Sequence, residues 1–238
     1  MPNHKILLGL TTTQGSDWKR KVEECRKFNI QEIALFPTSV NFESRKELYK
    51  LLENSPVKSI PHVHLRNDME IEELDYLTER FHTQVFNIHP RKDVHPFTND
   101  YGKHIPNIYV ENSSFVPEIE ELKKWGGLCI DFSHWQDEVQ KNNQSQIMVM
   151  QEAARKFKIG CSHVSAVGDK LIKVQDVKFP EVFYEGYSKH VLSDLKELDY
   201  MKNFIAYIPE FVSIELENSF EEQLKVKKYL EDLINNKK

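Results

Sequence analysis

Short apolar runs and amphipathic stretches alternate along the chain. Runs of four to six mostly apolar residues read as buried strands, and apolar positions three or four apart read as helices packed on one face. Lys5 to Leu10 is the first strand; a loop from Thr11 to Gly15 leads to a helix through Phe28, with Ser16 as its N-cap and Trp18, Val22 and Cys25 inward. Glu32 to Phe36 is the second strand, stopped by Pro37, and Ser44 to Leu52 the second helix. Val57 to Ile60 runs on into Pro61, His62, Val63 and His64, a helix covers Glu70 to Arg80, and a fourth strand from Thr83 to Ile88 ends in His89 and Pro90.

From Arg91 to Pro106 the helical period disappears among Pro, Gly, Asn and Asp, which predicts a loop in place of a helix. Asn107 to Val110 is the fifth strand and ends in Glu111 and Asn112; a short helix follows over Pro117 to Lys124. Leu128 to Asp131 is the sixth strand, Gln146 to Phe157 a helix, and Ile159 to Ser162 a seventh strand ending in His163. Lys170 to Lys189 reads as a long irregular stretch, a candidate lid, and His190 to Tyr207 as mostly helical. Phe211 to Ile214 is the eighth strand, ending in Glu215, and Phe220 to Ile234 the last helix. Eight strands alternating with helices predict one α/β domain over residues 1–238, a (β/α)8 TIM barrel with a shortened or missing helix after strand four. An open doubly wound sheet is the alternative. The glycine-rich phosphate loops GxGxxG and GxxxxGK[ST] are absent.

The net charge of −5 gives no global electrostatic footprint for nucleic acid or anionic membrane. Cys25, Cys129 and Cys161 form no CxxC pair or disulfide framework, which suits a reducing cytoplasm. The apolar run after the N-terminal residues is too short for a signal peptide, and no stretch approaches the roughly 18 apolar residues of a membrane span. A cytoplasmic protein without membrane contact is expected; the oligomeric state is not legible.

The chemistry gathers at the ends of strands. Strand three ends near His62 and His64, strand four in His89, strand five in Glu111, and strand six in Asp131 with His134 three residues later; strands seven and eight end in His163 and Glu215. Taken alone, Asp131 could simply cap the next helix and His134 could be a surface residue. In a barrel, however, all these ends share one rim. So many titratable groups at close quarters repel or are costly to desolvate without a compensating charge, which a divalent cation supplies. Mixed His and carboxylate ligands suit zinc best, with manganese or iron as alternatives. His4, His82, His95 and His104 fall outside the pattern and read as surface or loop residues, the last two within reach of the mouth.

These residues resemble the xylose isomerase-like barrels, which include sugar isomerases and epimerases and the endonuclease IV type of abasic-site nuclease. Pro61-His62, Asn87-Ile88-His89-Pro90, Val110-Glu111-Asn112, the Asp131 to His134 segment, His163 and Ile214-Glu215 are similar in order to the endonuclease IV pattern, and Ala34-Leu35-Phe36 to its second strand. The resemblance implies a cluster of two or three metals, usually zinc, held by His62, His89, Glu111, Asp131, His134, His163, His190 and Glu215. His190 resembles the histidine of an Asp-x-His pair whose aspartate is replaced here by Ser188. Glu111, Asp131, His163 and Glu215 also match the single-metal site of the sugar epimerases, where the two glutamates are the catalytic acid and base.

Three functions follow as expectations. The first is a metal-dependent hydrolase of a phosphate ester, with DNA disfavoured as substrate by charge. The second is a single-metal sugar or sugar-phosphate isomerase or epimerase, in which Glu111 and Glu215 move protons at carbon. The third is a non-catalytic barrel that binds a sugar or partner.

Overall fold

Alternation with a period of two sorts each strand into an outer and an inner face. Ile6, Leu8, Leu10, Ile33, Leu35, Val63, Phe86, Ile88, Ile108, Val110, Leu128 and Ile130 pack outward against helices, whereas Leu7, Ala34, Phe36, Val85, Tyr109, Cys129, Cys161 and Phe211 form a second, inner cluster. A computed structural model describes residues 4–13, 15–92, 96–113, 115–175 and 179–235. In it the strands β1 (Lys5–Thr11), β2 (Glu32–Phe36), β3 (Ser59–His64), β4 (Val85–Ile88), β5 (Ile108–Glu111), β6 (Gly127–Asp131), β7 (Ile159–Val164) and β10 (Phe211–Ile214) close into an all-parallel eight-stranded barrel. Helices α1 (Trp18–Lys27), α2 (Phe42–Glu53), α3 (Ile71–Phe81), α4 (Ile119–Leu122), α5 (Phe132–Gln140), α6 (Gln144–Lys156) and α7 (Phe220–Asn235) lie between or after the strands. This is the expected (β/α)8 architecture. Among the described residues the connection after β4 carries a 3-10 segment, Gly102–Asn107, and no α-helix; the connection from β7 to β10 likewise has none.

Local chemistry sets the element ends. Asp17, not Ser16, caps α1 by accepting from the Arg20 amide, and Asn41 caps α2 by accepting from that of Ser44. Two segments depart from expectation. The stretch expected to be irregular around 170–189 is an antiparallel hairpin of β8 (Ala166–Gln175) and β9 (Phe183–Lys189). Leu171 and Phe183 are exposed there, so the strands lack the buried face that makes a strand legible. The segment expected to be mostly helical over 190–207 is not α-helix but two 3-10 segments, Leu195–Asn203 and Ile205–Tyr207. Leu195, Leu198, Met201 and Phe204 recur every three residues, the period of a 3-10 helix.

Barrel closure between β1 and β10 is partly made by a side chain. The ladder there pairs Lys5 with Phe211, Ile6 with Val212 and Leu7 with Ser213. Above it, the Gly9 N–H donates to Gln223 Oε1 at 2.8 Å, and Gln223 Nε2 donates to the carbonyls of Gly9 at 3.0 Å and Leu216 at 2.8 Å. A Cβ on residue 9 would lie 1.8 Å from the Ile214 carbonyl oxygen, so only glycine permits this approach.

Candidate metal centre

The inner faces of β3, β4, β5, β6, β7 and β10 carry the strand-end residues to one rim. Asp131 and Asn112 fix the β5–β6 edge: the Asp131 amide donates to Asn112 Oδ1 at 2.8 Å and Asn112 Nδ2 donates to the Asp131 carbonyl at 2.9 Å. The Asp131 carboxylate divides its work. Oδ1 accepts from the amides of Ser133 and His134 at 2.8 and 3.0 Å and from the Ser133 hydroxyl, so it caps α5. Oδ2 faces inward, 3.9 Å from both His163 Nδ1 and His134 Nε2. The capping and ligand readings of Asp131 are therefore compatible, one oxygen serving each.

His163 is the hub. It is fully buried, and Phe36 packs edge-on against its ring at 5.0 Å. Its Nδ1 lies 3.3 Å from Glu215 Oε2 and 3.5 Å from Glu111 Oε2, yet makes no hydrogen bond. A buried imidazole nitrogen left unbonded among three carboxylates is what a cation site requires of its ligands. Glu111, Asp131 and His163 each offer a ligand atom within 4.8 Å of the others. His64, His89 and Glu111 do the same, so Glu111 belongs to two groups. His64 Nε2 lies 3.2 Å from Glu111 Oε2 and 3.1 Å from His89 Nε2.

The groups also tune one another. Burial opposes charge on His163, but Glu111 and Glu215 raise its basicity well above the usual histidine range. Burial likewise opposes the Glu111 carboxylate, and His163 and His64 outweigh it, holding Glu111 well below the usual range. Glu215 is pulled down to about 2 against burial, by His190 and His163. Burial disfavours charge on His134 too, but Asp131 and Asp137 lift it to about 9. Without a cation, protons on the imidazoles compensate the carboxylates.

Each expected ligand has a definite place. His89, Glu111, Asp131, His163 and Glu215 converge, with His134 beside Asp131. His190 approaches Glu215 from the segment after β9, its field depressing the Glu215 carboxyl. His62 lies one layer deeper, its two nitrogens bonded to Ser213 Oγ at 2.7 Å and Asn87 Oδ1 at 2.9 Å. Asn87 in turn donates to Glu111 Oε2 at 2.6 Å, so His62 supports the rim through Asn87. The β3 histidine that meets His89 and Glu111 is His64. His62, Cys129 and His163 also lie close enough to share an ion, and Cys161 pairs across from Cys129 in the strand register. Burial opposes ionisation of Cys161, but Cys129 and His62 bring its thiol down to about 5.

The remaining histidines serve the fold. His104 does not reach the mouth: it is buried against Phe86, with Nε2 2.6 Å from Asp75 Oδ1. His82 caps α3 in the left-handed conformation at φ 57°, and His4 Nδ1 meets the Pro209 carbonyl. His95 lies outside the described residues. Asp137, unmarked in the sequence, is a further buried carboxylate beside His134. Among the described residues no helix is long and apolar enough to cross a membrane. No known family model matches the chain, and no curated protein sequence does.

Proposed function

We propose that this barrel is an endonuclease IV-like, metal-dependent hydrolase acting on a phosphate ester, with two divalent cations, zinc by preference, sharing Glu111. The observation that carries this reading is the membership of Glu111 in both ligand groups, one with His64 and His89 and one with Asp131 and His163. Two such groups joined by one carboxylate suit a bridged pair better than a single ion. His134, His190 and Glu215 complete the surroundings. Bound cations would neutralise the carboxylates, polarise the phosphoryl oxygens and make water nucleophilic at neutral pH.

The chain's own residues then have separable tasks. Glu215, kept ionised by His190 and His163, accepts the proton of the attacking water. Phe36 shields the inner side of the cluster, packing against His163 and His64. A recess lined by Asn112, Ser113, His134, Trp135 and Glu138 lies beside His134, with room for about one water molecule.

The second reading, a single-metal sugar isomerase or epimerase, draws on a different observation. Glu111 and Glu215 both approach His163, as two acid/base glutamates around one ion would. Metal analysis of protein purified without chelator, paired with assays on a phosphodiester and on a panel of aldoses and ketoses, separates the two. Two equivalents of metal with chelator-sensitive phosphodiester cleavage supports the hydrolase. One equivalent, no ester cleavage and sugar isomerisation would replace it with the second reading.

A further inference from the structure

We propose that Asp137 is a positioning residue that orients His134 toward the cations and ties that orientation to docking of the β8–β9 hairpin. The inference rests on the reading of the rim as a metal centre. Asp131 caps α5, and His134 and Asp137 follow it at three-residue steps on the same side of the helix. His134 Nε2 lies 3.9 Å from the inward oxygen of Asp131, while its Nδ1 lies 3.6 Å from Asp137 Oδ2. One ring nitrogen thus faces the ligand cluster and the other a carboxylate, the carboxylate–histidine–metal order that fixes an imidazole's tautomer and direction.

Asp137 is itself held by the hairpin. Its Oδ1 accepts from the amides of Tyr187 and Ser188 at 2.7 and 2.8 Å, and its Oδ2 from the Ser188 hydroxyl at 2.7 Å. A Cβ on residue 186 would lie 2.3 Å from Asp137 Oδ2, so glycine there lets β9 settle onto the carboxylate. These bonds occupy much of Asp137's acceptor capacity, which makes it a guide for His134 rather than a further cation ligand. Nothing about His134 requires a hairpin on its own. The shared carboxylate supplies the link: β9 fixes Asp137, Asp137 fixes His134, and His134 completes the rim.

The test uses Co2+ titration of the full-length protein, followed by its visible absorption bands, in wild type, Asp137→Asn, His134→Gln and the double variant. Limited proteolysis of the metal-free proteins is run alongside. With His134 present, Asp137→Asn is expected to weaken Co2+ binding by roughly 10–100-fold. In the His134→Gln background it should add nothing, and in the metal-free protein it should speed cleavage within the hairpin. Should Asp137→Asn not fold, Ser188→Ala removes a single donor to Asp137 and should show the same dependence on His134 at smaller amplitude. Equal weakening in both His134 backgrounds, or none in either, overturns the coupling while leaving the metal centre standing. Failure of wild type to bind Co2+ rejects the metal centre itself, and the coupling with it.

Discussion

Two clusters of buried charge in this barrel are built to opposite rules. In the first, Arg45 on α2 is fully buried, with Nε and Nη2 on the two oxygens of Glu73 at 2.6 and 2.9 Å and Nη1 on the Val40 carbonyl and Asp68. The Tyr49 hydroxyl adds a bond to Glu73 Oε1 at 2.6 Å. Donors and acceptors match, and the cluster is closed. In the second, Glu111, Asp131 and Glu215 surround one imidazole nitrogen that forms no hydrogen bond at all. There acceptors outnumber donors, and a proton or a bound cation must balance them. Both clusters are buried and ionic, so burial alone does not mark a functional site. The informative property is whether the local groups satisfy one another.

That contrast can be broken experimentally. The largest effect is expected at the closed cluster: Arg45→Met leaves the buried Glu73 without its cation, while Asp68 keeps Arg66, and should cost about 3–5 kcal/mol in denaturant unfolding, with metal content per folded chain unchanged. Loss of metal in that variant would mean that the two clusters are coupled. A smaller effect is expected at Lys21, a buried cation that donates to the Leu216 carbonyl at 2.7 Å. Burial lowers its pKa from 10.5 to about 8, against the opposing pull of Glu217 and Glu24. An unfolded lysine holds its proton up to 10.5 while the folded one releases it near 8, so stability should rise with pH between those values. Relative to Lys21→Met, wild type should gain up to about 3 kcal/mol across that window; a flat difference would mean that Lys21 stays charged in the folded protein.

At the open cluster, His89→Ala removes one member of the His64–His89–Glu111 group without adding charge or bulk. Bound metal should fall by about one ion per chain and phosphodiester hydrolysis by at least ~10–100-fold, with the Glu111–Asp131–His163 group still loaded. Unchanged stoichiometry and activity would favour the single-ion reading. The smallest effect sharpens the comparison most. Glu111→Gln should abolish shared binding while costing the metal-free protein less stability than Arg45→Met does, because Asp131 and Glu215 remain beside the His163 imidazole. A large loss of stability in the metal-free form would place this cluster under the same rule as Arg45.

The sequence carried the rim well because period-two strands ending in Glu111, Asp131, His163 and Glu215 leave little freedom in where those ends meet. It did not separate His62 from His64. Residues two apart on a strand face the same side, so both point into the barrel, and only the register of β3 against β4 sets their depth. That register pairs His62 with Val85 and His64 with Asn87, which brings His64 up to the level of His89. Asp137 was invisible for a related reason: its partners come from residues 50 positions away, on a hairpin whose strands bury neither face well enough to announce themselves. The Arg45 cluster likewise joins residues 28 positions apart across two helices.

The seam between the first and last strands has a consequence for how the chain is made. Gln223, which satisfies both backbone groups of Gly9, stands 214 residues from it. During synthesis, β1 leaves the ribosome long before the helix that carries Gln223. Until β10 and α7 arrive, one side of β1 presents unmatched backbone donors and acceptors, the kind of edge that invites pairing with other chains. Ring closure therefore joins segments separated by nearly the whole chain, the kind of contact that is slow to form. A nascent chain halted before residue 211 holds seven of the barrel's eight strands and cannot complete the ring.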